Sequence, residues 1–385
     1  MTFAPKRLTR LRTQLQRRVD DGFAPGMLAL LSRRGQVHVE ATGYLAYEGP
    51  GATTPMATDT IVRIASMSKP IVSACAMTLV EDGTLRLDDP VDEFLPELAN
   101  MSVLADPSGP LDHTVPAERA ITLRDLLTYT LGTGMVPAEP GTVPIADALD
   151  DIGFPPPADF LTRLGALPLV HQPGERWLYD TAAAVTGELI ARATGTSFGA
   201  ALRERVFEPL GMTDTGFVVS PGSMARFATA YDAEVATKIE DGPDGLLSRQ
   251  PAFENGGGGL ASTADDYLAF ASALMAGGRG VLSRPSVRLM TTDHLTPAQK
   301  AVSGFRPDYF ADRGWGFGMS VQTSQNRLGL SAGAYGWPGY YGTAWYNDPA
   351  EDLTAIFIVQ RAHAGDQTLP LWTDLWTAVY QAIDD

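Results

Sequence analysis

The chain has 385 residues, 44% of them hydrophobic and 19% charged, with a formal net charge of −16. This is the composition of a soluble globular protein with ample core volume, and its acidity disfavours a nucleic-acid backbone as partner. A single cysteine, Cys75, excludes an intrachain disulfide, and five scattered histidines (His38, His113, His171, His294, His363) offer no zinc spacing, so no metal or other cofactor is expected.

The opening segment is basic at Lys6, Arg7, Arg10, Arg12, Arg17 and Arg18, while Leu8, Leu11, Leu15 and Val19 form one apolar stripe at helical spacing. We read it as a helix with a solvated basic face rather than a membrane-surface helix. It lacks the apolar core of a secretory signal, which points to the cytoplasm, and no apolar run is long enough to span a bilayer. Residues 26–44 then read as two strands around a turn at Arg34-Gly35. The middle of the chain is rich in helices, expected at 70–82, 123–130, 181–193, 198–207 and 264–276. Pro- and Gly-rich stretches at 134–157 and 240–260 read as long surface loops. Strand texture returns at 315–323, 339–347 and 353–361, with a turn at 348–352, and a helix closes the chain over 369–383. Strands at both ends with helices between them predict an α+β fold, in which one antiparallel sheet is assembled from the two chain ends and the middle is a helical insertion. The expected division is residues 1–62 with 301–385 as the sheet domain and 63–300 as the helical one, with a cleft between.

Two serine motifs compete for the chemistry. Gly195-Thr196-Ser197-Phe198-Gly199 matches the G-x-S-x-G nucleophile elbow, but that motif works only between a strand and a helix. Here it lies between two helical runs, so Gly195 reads as a helix C-cap and Thr196 or Ser197 as the next N-cap. The second is Ser66-Met67-Ser68-Lys69. A serine three residues before one of only four lysines is weak evidence by itself. Its context is stronger: Pro70 falls in the first turn of an apolar helix, placing Ser66 at the helix N-terminus and Lys69 one turn along the same face. A serine hydroxyl needs a base to take its proton, and an amine one turn away is one candidate. Tyr179 is another: a cation about 4 Å from it, at an effective dielectric near 20, contributes roughly 4 kcal/mol toward ionising a group that otherwise titrates near 10. A neutral Lys69 with the tyrosine as proton shuttle is the alternative.

These segments resemble a known group. DTIVRIASMSKP (59–70) resembles the nucleophile segment of class C β-lactamases, DD-peptidases and, most closely, family VIII carboxylesterases. ITLRDLLTYTLG (121–132), PGERWLYDTAAAVTGELIARATG (173–195), EPLGMTDTGF (208–217), GGGGLASTADDYLAF (256–270) and YGWPGYYGTAWYNDP (335–349) extend the likeness along most of the chain. The resemblance implies a β-lactamase-like fold, with Ser66 as nucleophile, Lys69 as its activating partner and Tyr179 as base. It implies an oxyanion hole made by the backbone N–H groups of Ser66 and Tyr340. Trp337-Pro338-Gly339 stands where β-lactamases carry Lys-Thr-Gly and is similar to the Trp-Gly-Gly of family VIII esterases. The substrate-binding positions are then Trp337, Gly339, Thr181 and Tyr129.

The sequence also departs from that pattern. Tyr179-Asp180-Thr181 ends in threonine where the lactamases have asparagine, the lysine of the third motif is absent, and Pro338 brings no N–H. Tyr129 and Leu131 sit where many relatives carry histidine and serine. The departures point away from carboxylate-bearing β-lactams and toward a carboxylesterase acting on small-molecule esters, with aromatic residues suggesting an apolar pocket. An acyltransferase of the same fold, a weak β-lactamase or amidase, and a non-enzymatic penicillin-binding-like scaffold are the alternatives. No nucleic-acid or membrane partner is expected, and the sequence sets no oligomeric state.

Overall fold

The computed structural model describes residues 2–232, 245–362 and 368–384. His363 lies outside them, and the loop expected over 240–260 is described only from residue 245. The chain opens with helix α1 (Pro5–Asp20), followed by the hairpin β1 (Gly26–Arg33) and β2 (Gln36–Gly43). Its turn falls at Arg34-Gly35 as expected, with both residues at positive φ; the glycine favours this, while Arg34 is carried into it by the tight hairpin.

The remaining strands of the same sheet come from the other end of the chain. They are β3 (Arg313–Trp315), β4 (Ser320–Gln322), β5 (Tyr335–Pro338), β6 (Ala344–Asp348) and β7 (Leu353–Ile358). The seven strands run in the order β2-β1-β7-β6-β5-β4-β3, every neighbour antiparallel. Hydrogen bonds between β1 and β7, with Leu30 opposite Ile356, join the two chain ends.

Period-two alternation explains how one sheet serves two cores. Met27, Ala29 and Leu31 of β1 face the terminal helices, where they meet Leu11 and Leu15 of α1 together with Leu375 and Val379 of α7 (Thr368–Tyr380). Leu28 and Leu30 face the opposite way, into the core shared with the inserted helices. Each such side chain, fully buried, contributes about 1.5–3 kcal/mol. The basic face of α1 is largely matched by acidic neighbours: Arg12 with Glu40, Arg18 with Asp374, Arg7 with Asp384 and Arg17 with Asp21. No helix among the described residues is long and apolar enough to cross a membrane.

Between the sheet's two halves lie α2 (Ser68–Glu81), α3 (Leu123–Thr128), α4 (Thr181–Thr194), α5 (Phe198–Leu202) and α6 (Ala264–Met275), with shorter turns. Three expectations need correction. The strand expected over 315–323 is instead a hairpin, because Gly318 adopts φ +70° and the Gly316 N–H closes onto the Met319 carbonyl. The strand expected over 339–347 begins only at Ala344. Gly339 to Thr343 form the β5–β6 turn, closed by the Gly339 N–H to the Thr343 carbonyl with Gly342 at φ +77°. The loop expected over 134–157 contains a helix at Pro144–Asp150, started by its proline and anchored by buried Ile145.

Candidate active site

Strand residues Val62–Arg63 lead into a 3₁₀ turn at Ala65–Met67 and then into α2. Ala65 has φ +44°, in the left-handed region, so the chain bends sharply just before Ser66. The bend is held from several sides. The Ile64 N–H donates to the Leu260 carbonyl, and the Tyr267 hydroxyl donates to the Met67 carbonyl at 2.9 Å. Neither the 3₁₀ turn nor α2 has a side-chain N-cap, so no backbone N–H of its own helix claims the Ser66 hydroxyl as a cap.

Three residues on, the Lys69 side chain is wholly buried and its Nζ stands 2.9 Å from Ser66 Oγ. Nζ also meets the Gly257 carbonyl and, at 2.7 Å, Asp180 Oδ1. An ammonium has three N–H bonds and no lone pair, and here three acceptors surround it. Burial pushes the Lys69 pKa down, but Tyr179 and Asp180 outweigh it and hold the group above its ordinary value. Lys69 is therefore set up as a cation that donates to Ser66.

Tyr179 belongs to the loop before α4, and Nζ of Lys69 lies 4.6 Å from its ring centroid. Its main chain is clamped: the Met135 N–H donates to the Tyr179 carbonyl, and the Leu178 N–H to that of Tyr129, both at 2.8 Å. Its hydroxyl oxygen accepts a 2.7 Å hydrogen bond from Trp337 Nε1. An indole N–H only donates, so the tyrosine oxygen is the acceptor in that bond. Asp180 is held at φ +82°, strained for a residue with a side chain, and this turn delivers its carboxylate to Lys69.

Strand β5 supplies Trp337 and ends at Pro338, which pairs with Ala344. The missing N–H thus falls at a strand end, where a proline is tolerated. A Cβ on Gly339 would come within 2.3 Å of the Ile64 carbonyl oxygen and 2.2 Å of Thr343 Oγ1. Thr343 Oγ1 itself donates to the Ile64 carbonyl at 3.2 Å. The β5–β6 turn is thereby seated against the segment carrying Ser66, with Tyr340 next to the contact. The β3–β4 hairpin seats on α2 in the same way, since a Cβ on Gly318 would lie 2.8 Å from the Lys69 carbonyl oxygen.

A cavity of about 440 Å³ opens here, and Ser66, Tyr179, Trp337, Gly339 and Tyr340 line one part of it. Tyr129 and Thr181 do not. Tyr129 is 1% exposed, packs 4.9 Å from Trp315 and 6.0 Å from Tyr179 by ring centroids, and leaves its hydroxyl buried without a hydrogen-bond partner. Burial drives its pKa far up, so it backs Tyr179 as a neutral wall. Thr181 is half-buried as the first residue of α4. Asp180 and Gly257, by contrast, enter the site although the sequence reading gives them no part. The signals for them were an acidic residue directly after Tyr179 and the run Gly256–Gly259, where close backbone approach is possible. No cluster of His, Cys, Asp or Glu suited to a metal ion occurs among the described residues.

The chain is similar to known proteins over most of its length. A family model described as Beta-lactamase matches residues 11–375. Protein Rv1367c of Mycobacterium tuberculosis is 41% identical over 355 residues, covering 89% of this chain and 87% of that protein. Esterase EstB of Burkholderia gladioli is 32% identical over 396 residues, covering 92% and 90% respectively. The solved structure of EstCE1, described as a hydrolase with promiscuous acyltransferase activity, matches with a TM-score of 0.80 at 26% identity, covering 97% of this chain and 99% of that chain.

Proposed function

The chain belongs to the Beta-lactamase family, and from that premise we propose that it is a serine carboxylesterase working through an acyl-enzyme on Ser66. One observation carries the reading: Ser66 Oγ, on the cavity wall, sits 2.9 Å from a fully buried lysine that is itself enclosed by Tyr179 and Asp180. The likeness to an esterase at 32% identity supports it.

In this reading Tyr179, not Lys69, is the base. Lys69 spends its N–H bonds on Ser66, Gly257 and Asp180, and as an ammonium it has no lone pair to offer. Tyr179 is held by the Lys69 cation at its ring and the Trp337 N–H at its oxygen, and it lines the cavity with Ser66. Tyr179 takes the Ser66 proton as Oγ attacks the ester carbonyl, then returns it to the departing alcohol. The oxyanion rests on the backbone N–H groups of Ser66 and Tyr340, two donors fixed by a helix start and a strand turn. Water on the same base then releases the acid. An alcohol in place of that water gives acyl transfer, and EstCE1, described as capable of both, keeps that reading in play.

The test is hydrolysis of p-nitrophenyl acetate, butyrate and octanoate beside nitrocefin, with wild type and Ser66→Ala. Ester turnover that falls by at least about a thousandfold in Ser66→Ala, with little nitrocefin cleavage, is expected. Nitrocefin outrunning every ester would install β-lactam hydrolysis as the function instead. Product analysis with added methanol separates hydrolysis from acyl transfer.

A further inference from the structure

The cavity runs on from Ser66 to a second region whose charge opposes that of the molecule. The chain carries 45 Asp and Glu against 29 Lys and Arg. Yet among the described residues lining the cavity the charged ones are Arg306, Arg313 and Arg327, with no Asp or Glu. A lining drawn at random from such a chain would lean acidic.

The three arginines are also under-neutralised. Asp312, buried just behind the wall, takes Arg313 Nε at 3.0 Å on one carboxylate oxygen. Its other oxygen takes Asn326 Nδ2 at 3.1 Å and stands 3.6 Å from Arg327. One carboxylate thus serves two guanidiniums. Arg306 is exposed and has no ion-pair partner among the described residues. Arg306 and Arg313 both lie over the ring of Tyr309, their Cζ atoms 6.0 and 5.2 Å from its centroid. Bringing like charges to one ring costs free energy unless an anion joins them.

The position relative to the chemistry follows from the aromatic packing. Phe305 bridges Tyr179 and Tyr309 with centroid separations of 5.0 and 5.1 Å. Tyr309 therefore lies at most about 10 Å from Tyr179, with the guanidiniums beside it and an apolar stretch in between.

We propose that this end of the cavity is an anion subsite, and that the esters handled at Ser66 carry a carboxylate or phosphate at the far end of an apolar chain. Planar guanidiniums suit both groups through paired N–H bonds. The sequence departures, above all the missing third-motif lysine, argued against acidic substrates near Ser66. The arginines move the anion to the other end of the ligand. This inference rests on the ester reading of Ser66.

Three p-nitrophenyl esters with an eight-carbon acyl chain decide it: octanoate with a methyl end, the mono-ester of octanedioic acid, and an ω-phosphono-octanoate. In wild type the better anionic ester should exceed octanoate in kcat/KM by about tenfold, and the gain should shrink in high salt. In Arg306→Gln/Arg327→Gln that ratio should fall to about one, whatever happens to the absolute rates. Preference for the carboxylate or for the phosphonate tells which source the subsite fits. Turnover of octanoate with no anionic advantage, or an advantage that survives the double substitution, overturns the subsite while leaving the esterase reading standing. Failure to turn over any ester defeats the esterase reading instead. The subsite is then read directly, from quenching of tryptophan fluorescence in Ser66→Ala by octanoate against octanol, since Trp372 and Trp376 line the cavity. Equal binding of the two amphiphiles would end the proposal.

Discussion

Ser66 and Ser197 both stand at the threshold of a helix, and each lies in a segment whose letters match a nucleophile motif. Their surroundings differ in what claims the hydroxyl oxygen. Ser197 is the N-cap of α5 and accepts from the Ala200 N–H at 3.2 Å, directly after Gly195 has ended α4 at φ +68°. Its oxygen is spent on its own helix, and it is exposed to water. Ser66 caps nothing, and its oxygen meets the Nζ of a buried lysine at 2.9 Å on a cavity wall. Under the proposed reading, the comparison teaches that a helix-start serine is free to act as a nucleophile when backbone N–H groups leave its oxygen alone and a polar cluster assembled from distant segments takes it up.

The sharpest way to break this contrast, beyond removing Ser66 itself, is to remove the proposed base. Tyr179→Phe should lower kcat by about a hundredfold to ten-thousandfold, because proton transfer from Ser66 then lacks its acceptor. It also leaves the buried Trp337 N–H without its partner, costing about 1–2 kcal/mol of stability, which thermal melting reads separately. A Tyr179→Phe enzyme of near wild-type kcat, beside an inactive Lys69→Ala, would transfer the role of base to the lysine.

A smaller change tests the charge on Lys69. Asp180→Asn removes a carboxylate from 2.7 Å of Nζ, and since that carboxylate helps hold the Lys69 pKa above its usual value, the pKa must fall. If Lys69 works as a cation, the alkaline limb of the kcat/KM profile moves toward lower pH, with a loss of roughly three- to tenfold on that side. Asp180 is 39% exposed, so solvent screening keeps the effect at this size. Movement of the acid limb instead would mean that Lys69 works as a free amine.

The legible parts of this molecule are those that local chemistry decides. The near-continuous apolar runs Met27–Leu31 and Leu353–Ile358 announce strands buried on both faces, and the apolar run after Pro70 announces α2. Gly195 and Ser197 announce a helix end followed by a helix start. What the sequence conceals is non-local. The Trp337 bond to Tyr179 spans 158 residues and the Gly257 contact with Lys69 spans 188. No periodicity reports either. Tyr129 sits in a family motif, yet burial behind Tyr179 is settled by Trp177 and Trp315, the latter from another part of the chain. The turn at Gly339–Thr343 was obscured by the β-prone Tyr340 and Tyr341, whose local preference yields to the seating of Gly339 on Ile64. The charge of the cavity's far end is hidden in the same manner, because Arg306, Arg313 and Arg327 become a group only through Tyr309 and Asp312.

The mildest perturbation completes the contrast from the other side. Ser197→Ala should leave kcat/KM for p-nitrophenyl butyrate within about twofold of wild type, because nothing at the Ser66 cluster depends on it. It should still cost about 0.5–1 kcal/mol of stability, since Ala200 loses the oxygen that receives its N–H and α5 loses its cap. Ser197→Gly should recover part of that loss, glycine being a tolerable N-cap. A kinetic defect without a stability defect would make Ser197 part of the chemistry and reverse the distinction drawn between the two serines. The expected opposite, lost stability with intact turnover, would identify its hydroxyl as a piece of helix architecture.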